Sequence, residues 1–296
     1  GRIMTALAQQ PIDPAVRIGH VHLKVADLER ALAFYCGVLG FELTQRYGTQ
    51  AAFVSAGGYH HHIGLNTWES RGGPPPPPGT TGLYHVAILY PTRAALADAA
   101  RRLAAGGIPL DGASDHGVSE ALYLSDPDGH GIEIYRDRPR REWPFVKGSL
   151  GMTTDPLDVR GLVAADRTRA PWEGIDPHTV MGHVHLHVAD LAAAEHFYVD
   201  LLGLDLMQRF GGQAAFVSAG GYHHHLGLNT WAGIGAPPPP PTAARLLDFQ
   251  LVVPNSMILT EIVDGLRISG IEVNATDEGW SVLDPSGNRI LLNHLN

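Results

Sequence analysis

"GHVHLKVADLERALAFYCGVLGFELTQRYGTQAAFVSAGGYHHHIGLNTW", Gly19 to Trp68, returns 163 residues later as "GHVHLHVADLAAAEHFYVDLLGLDLMQRFGGQAAFVSAGGYHHHLGLNTW", Gly182 to Trp231, with 36 of 50 positions identical and no gap. So long a match at one offset marks a duplicated unit. The offset holds through the proline runs Pro74 to Pro78 and Pro237 to Pro241, then drops to 158 between the turns at Asp126 and Asp284, so the second copy is five residues shorter. Within the first copy, "HVHLKV" alternates like a strand, Asp27 can cap a helix starting near Leu28, and Gly40 ends it before the strands "FELTQRY", "QAAFVSA" and "HHHIGLNTW". A second pass follows: the strand "YHVAILY", a helix over Arg93 to Ala105 closed by Gly106-Gly107, and the hairpin "ALYLSDPDGHGIEIY". The proline runs read as stiff extended spacers between passes. The segment 137–181, rich in Pro, Asp, Arg and Gly, reads as a linker with a helical turn at "DPLDVRGLV".

Bulk properties narrow the function. A chain of 296 residues with 44% hydrophobic content carries enough apolar surface for two ordinary cores. The formal net charge of -9, without a Lys/Arg cluster interleaved with aromatics, argues against a nucleic-acid partner. One cysteine, Cys36, excludes an internal disulfide framework and suits a reducing compartment. No run is long and apolar enough to span a membrane, and "GRIMTALAQQ" has no apolar core of a signal peptide, so a cytoplasmic location is expected. Histidine is the unusual count at 17, with runs at His60 to His62 and His223 to His225.

The stretches "GHVHLKVADLERALAFYCGVLGFEL", its second-copy counterpart, "SDPDGHGIEIY" and "LDPSGNRILL" together resemble the vicinal oxygen chelate superfamily (glyoxalase, bleomycin resistance and extradiol dioxygenase proteins). The likeness is nearest to two-domain enzymes of the catechol 2,3-dioxygenase type. It implies an α+β fold of duplicated domains, each of two paired βαβββ modules forming a metal-binding cup. On that plan residues 1–17 are a tail, 18–136 the first and catalytic domain, 137–181 the linker, and 182–296 a second domain with a degenerate metal site.

Alternation selects the residues facing the cup. Val21, Leu23 and Val25 share one face of their strand, so His20, His22 and Lys24 take the other; Val86 and Ile88 likewise leave His85 opposite. Glu133, between Ile132 and Ile134, faces away from them both. Two His and one carboxylate with open positions form the facial set of non-haem Fe(II) enzymes. His20, His85 and Glu133 are therefore expected to hold Fe(II), with Mn(II) the alternative. In the second copy Asp248 and Leu291 stand where His85 and Glu133 would be, so no catalytic ion is expected there. The run from His116 through Leu122-Tyr123, Asp126-Pro127 and Gly129 to Glu133 resembles the extradiol signature, except that Ser114 replaces its usual residue two before the His. The resemblance makes His116 and Tyr123 catalytic groups and His62 the base, with His61 left open for that role. Asn66 and Trp68 recur in both copies and read as structural.

These readings imply an Fe(II)-dependent extradiol dioxygenase acting on a small aromatic diol with O2 to give a semialdehyde of the muconic type, in a chain that could self-associate. Two alternatives stand beside it. A glyoxalase-type isomerase or lyase would want a fourth protein ligand where Gly64 stands, and a metal-free binding protein of the resistance kind would have no use for the intact triad.

Overall fold

Each copy contributes two βαβββ modules. The computed structural model describes residues 10–165 and 171–295; residues 1–9 of the expected tail, 166–170 of the expected linker, and Asn296 lie outside them. In the first module β1 (Arg17–Lys24) leads into α1 (Leu28–Leu32) and then β2 (Glu42–Tyr47), β3 (Ala51–Ser55) and β4 (Ile63–Asn66). The Asp27 carboxylate caps α1 by accepting from Arg30 N at 3.0 Å. The helix widens into a π turn over Ala33–Val38, and Gly40 leaves it at φ 87°, a left-handed conformation suited to glycine. The second module holds β5 (Gly82–Tyr90), α2 (Arg93–Ala105), β6 (Gly112–Asp115), β7 (Ser119–Ser125) and β8 (Gly131–Asp137). The intervening segment carries β9 (Phe145–Val146), β10 (Ser149–Leu150), β11 (Asp155–Pro156) and α3 (Val159–Ala165). The third module repeats the first as β12 (Val180–His187), α4 (Leu191–Glu195), β13 (Asp205–Phe210), β14 (Ala214–Ser218) and β15 (Leu226–Asn229). The fourth repeats the second as β16 (Arg245–Val253), α5 (Ser256–Ile268), β17 (Val273–Thr276), β18 (Gly279–Leu283) and β19 (Arg289–His294).

The sheets do not follow the copies. Of the two large sheets, one has nine strands in the order β11-β6-β7-β8-β5-β12-β15-β14-β13 and the other eight in the order β17-β18-β19-β16-β1-β4-β3-β2, while β9 and β10 pair only with each other. The expectation that 18–136 and 182–296 would each close their own cup is therefore corrected: the second module joins the third through β5 and β12, and the fourth joins the first through β16 and β1. The proline connectors supply the physical reason. Extended at roughly 3.1 Å per residue, five prolines carry the chain roughly 15 Å before the next strand begins. The two connectors also run together: Thr81 N donates to Pro237 O at 2.9 Å, and Ala244 N to Pro74 O at 2.9 Å. Each thus delivers its following strand to the other copy's open sheet edge.

Convex faces of both sheets pack on the helices in one apolar core that includes Val21, Leu23, Tyr35, Val86, Ile88, Ile132, Ile134, Val184 and Phe197. Two equivalent clasps tie successive modules. Tyr35 OH donates to Asp126 Oδ2, and Tyr198 OH to Asp284 Oδ2, each at 2.8 Å and buried. Both carboxylates also close their own turns, Asp126 on the backbone of Asp128 and His130 and Asp284 on that of Ser286 and Asn288. The expected linker is an integral part of the fold. β11 pairs with β6, Trp143, Leu150 and Met152 bury beside Val118, and Gln208 exchanges two hydrogen bonds with the Met152 backbone.

Removing a hydrogen bond to a buried charged acceptor costs about 1.5–3 kcal/mol. Tyr198→Phe is accordingly expected to lower unfolding free energy by about that amount in a denaturant titration. An unchanged midpoint would show that the clasp is energetically idle.

Candidate functional site

Strand register builds one concave row. Tyr123 on β7 lies opposite Glu133 on β8, Glu133 beside Ala87 on β5, and Ala87 opposite His183 on β12. Ala87, with only a methyl group, leaves room for the flanking side chains to converge above it. His85, two residues back along β5, completes the cluster. Glu133 Oε2 lies 2.8 Å from His85 Nε2 and 2.8 Å from His183 Nε2, and the two imidazole nitrogens are 3.4 Å apart. All three side chains are buried, Glu133 to 2% exposure. The carboxylate between two isoleucines thus faces a cavity, as strand alternation requires when the opposite face is packed.

This cavity, of about 560 Å³, is bounded by Tyr84, Met152, Phe210, Phe216 and Trp231 around the polar floor. Burial works against charge on Glu133, yet the imidazoles of His183 and His85 hold its pKa well below the usual carboxylate range. Burial pushes His183 down to about 4 despite the same pairing. Two imidazoles with accessible lone pairs and one ionised carboxylate, from three strands, are the donor set of the facial triad. The residues present therefore fit a divalent metal, which His85, Glu133 and His183 would hold.

His116 and Tyr123 reach the same floor. Tyr123 OH is 3.1 Å from Glu133 Oε1 and 2.6 Å from His116 Nε2, while His116 Nδ1 donates to Thr153 O at 2.8 Å. Burial and the Glu133 charge raise the Tyr123 pKa, so the phenol keeps its proton. With His116 Nδ1 committed as a donor, the single Tyr123 proton must be divided between His116 and Glu133.

His20 and His62 are not brought to this floor. His20 sits on β1 in the eight-stranded sheet, its ring 4.5 Å from that of His22 and 4.2 Å from that of His61. Its counterpart His183 takes the place beside Glu133. His62 is buried in the same half, where its Nδ1 accepts from Ala56 N at 3.0 Å and its ring stacks on Tyr59. His225 repeats this with Ala219 N at 3.1 Å. The third histidine of each run is thus a backbone clasp, which explains its presence in both copies. The runs lie in bends before β4 and β15 rather than on the strands, so the expected alternation shifts and the middle histidine turns inward. At the cavity that residue is His224, its ring 4.0 Å from that of His183.

Behind His224 stands a chain. His223 Nδ1 is 2.8 Å from His224 Nδ1, and His223 Nε2 is 2.7 Å from Asp137 Oδ1. A proton on His223 Nε2 serves Asp137 and leaves Nδ1 to accept from His224, so the Nε2 of His224 keeps its lone pair. Burial first, then the neighbouring His183 and His223, hold the His224 pKa well below normal and the ring neutral.

Sequence reading also missed Trp231 at the cavity mouth, where it meets Tyr84 and His185, having grouped the Asn-Thr-Trp repeat as structural. Asn229 does match that reading, binding His185 and His187 at 2.9 and 2.8 Å. At Gly227, the counterpart of Gly64, a Cβ would lie 2.7 Å from the His185 ring, which occupies the space a fourth ligand would need.

The Glyoxalase/Bleomycin resistance protein/Dioxygenase superfamily model matches residues 17–134 and 180–292. The chain is 42% identical over 273 residues to catechol-2,3-dioxygenase of Bacillus subtilis (strain 168), covering 90% of this chain and 93% of that relative. It is 30% identical over 170 residues to biphenyl-2,3-diol 1,2-dioxygenase 3 of Rhodococcus globerulus, over 53% of this chain and 89% of that one. In fold it resembles the crystal structure of glyoxalase I from Zea mays, with TM-score 0.58 and 17% identity over 94% of this chain and 92% of that one. The chain belongs to the Glyoxalase/Bleomycin resistance protein/Dioxygenase superfamily, and within it is an enzyme of the extradiol dioxygenase type.

Proposed function

We propose that the protein is an Fe(II)-dependent extradiol dioxygenase that opens a catechol-type ring with O2 to a muconic semialdehyde-type product, with His85, Glu133 and His183 as the metal ligands. The observation that carries this reading is the joint placement of that triad with the His116–Tyr123 pair on one side and His224 on the other, over a single aromatic-walled cavity. The name of the 42% identical relative supports the substrate class. When bound, the metal supplies a chelating centre for the two diol oxygens and a path for electrons from ring to O2.

The remaining work falls to side chains. Phe216, Trp231 and Tyr84 offer flat apolar walls to an aromatic ring. His224, neutral with a free Nε2 lone pair, takes a diol proton, and the positive charge that develops is stabilised through His223 by Asp137. Tyr123 donates toward the reacting oxygen from its place beside Glu133. His116, half-buried at the cavity edge, replenishes that proton from solvent and delivers it as the ring opens. His224 thus takes the role that sequence reading gave to His62. The closed-off space at Gly227 disfavours a glyoxalase-type centre with a fourth protein ligand.

His183→Ala should strip the catalytic ion, whereas His20→Ala should leave ring cleavage within a few-fold of wild type, as metal analysis alongside oxygen uptake would reveal. The reverse pattern would return the ligand role to His20.

Loss of a positioned proton acceptor costs on the order of 10²–10⁴ in rate. His224→Ala should retain metal and slow turnover of catechol by such a factor, with Asp137→Asn slowing it less; His62→Ala should act on stability instead. A yellow, semialdehyde product formed only with O2 and reduced iron is expected, and a colourless dicarboxylic acid would refute extradiol cleavage.

A further inference from the structure

The other cup has lost two of the three catalytic ligand positions, yet it gathers its own. Asp248 and Leu291 occupy the places of His85 and Glu133, and Gln250 that of Ala87. Into the vacated floor comes Glu278, from the turn between β17 and β18, an element that supplies no ligand in the nine-stranded sheet. His20, His22 and Glu278 each offer a donor atom, all within 4.8 Å of one another, and His20, His60 and His61 form a second such group sharing His20.

His20 is the telling residue. It is 2% exposed, and among the described residues neither of its ring nitrogens has a partner within hydrogen-bond distance, although the Gln250 side chain, its own Oε1 unpaired, faces it. A buried polar group is costly to leave without a partner, and an ion would supply the missing one. His22 is equipped as a ligand commonly is, with a carboxylate behind it: Nδ1 lies 2.6 Å from Asp248 Oδ1. Glu278 Oε2 stands 4.0 Å from His20 Nε2 and 3.8 Å from His22 Nδ1, and since Asp248 holds that Nδ1 it is His22 Nε2 that would face the ion; 44% of the Glu278 side chain is exposed, so an ion can enter from solvent on that side. His61 adds a further imidazole, its Nε2 being 3.2 Å from that of His22.

We propose that the eight-stranded sheet holds a second divalent-metal site, separate from the catalytic one, on His20, His22 and Glu278. The imidazole-rich set with one carboxylate selects a borderline transition ion such as Zn²⁺ or Ni²⁺ over Mg²⁺ or Ca²⁺. The site has no counterpart of Tyr123 or of a His116 pair, because Ser281 lies opposite Leu291. It binds without cleaving rings, and its ion joins β1 to the β17–β18 hairpin.

The test is metal stoichiometry on the full chain, stripped by chelator and titrated calorimetrically with Ni²⁺, followed by elemental analysis. Wild type should take up about two ions, Glu133→Ala about one, and Glu278→Ala and His20→Asn about one each while retaining iron-dependent ring cleavage. Glu278 sits on a half-exposed turn, so its replacement leaves the core intact. Asp248→Asn should weaken the second ion roughly 10–100-fold. A wild-type plateau at one ion that vanishes in Glu133→Ala, or a second ion that survives both Glu278→Ala and His20→Asn, would overturn the proposal.

Discussion

Antiparallel pairing of β5 with β12 is the contact on which the rest depends. It sets the small Ala87 between Glu133 and His183, and so brings a carboxylate from one copy to an imidazole of the other. A one-residue slip would turn every side chain on β12 to the opposite face and remove His183 from the floor. The crossed proline connectors, hydrogen-bonded to each other's following segments, hold this pairing against the alternative in which each copy folds on itself. The duplicated chain therefore acts as an interlaced unit rather than as two beads on a string.

Much of this was legible in local pattern. The repeat, the module order, the cap at Asp27, and the inward placement of His85 and Glu133 follow from period, turn chemistry and spacing, whereas His116 and Tyr123 come with the family resemblance. What local pattern does not carry is which open strand edges meet. β1 and β12 have nearly the same sequence, so either could have supplied the second imidazole, and alternation alone could not choose between His20 and His183. The histidine runs failed for a different reason. Their backbone leaves the strand in a bend, so a period of two no longer applies, and the hydrogen bonds of His62 and His225 to backbone amides fix the phase instead.

The two cups show how duplication divides labour. One keeps a carboxylate on its last strand, an alanine beside it, and Asp137 behind His223; the other has Leu291, Gln250 and, at the position of Asp137, Leu295. Among the described residues the His60–His61 pair has no counterpart of Asp137 behind it. Both cups keep Gly64 or Gly227 because the ring of His22 or His185 lies against it. That glycine is a packing requirement common to both, while the Asp137–His223–His224 chain and the His116–Tyr123 pair, among the described residues, belong to one alone.

Diffraction from crystals grown with reduced iron and soaked with a catechol without oxygen would test the shared site most directly. Anomalous signal from iron bounded by His85, Glu133 and His183, with the diol between His224 and Tyr123, is the expected result. Iron and diol seated instead on His20 in the eight-stranded sheet would contradict an active site built from both copies.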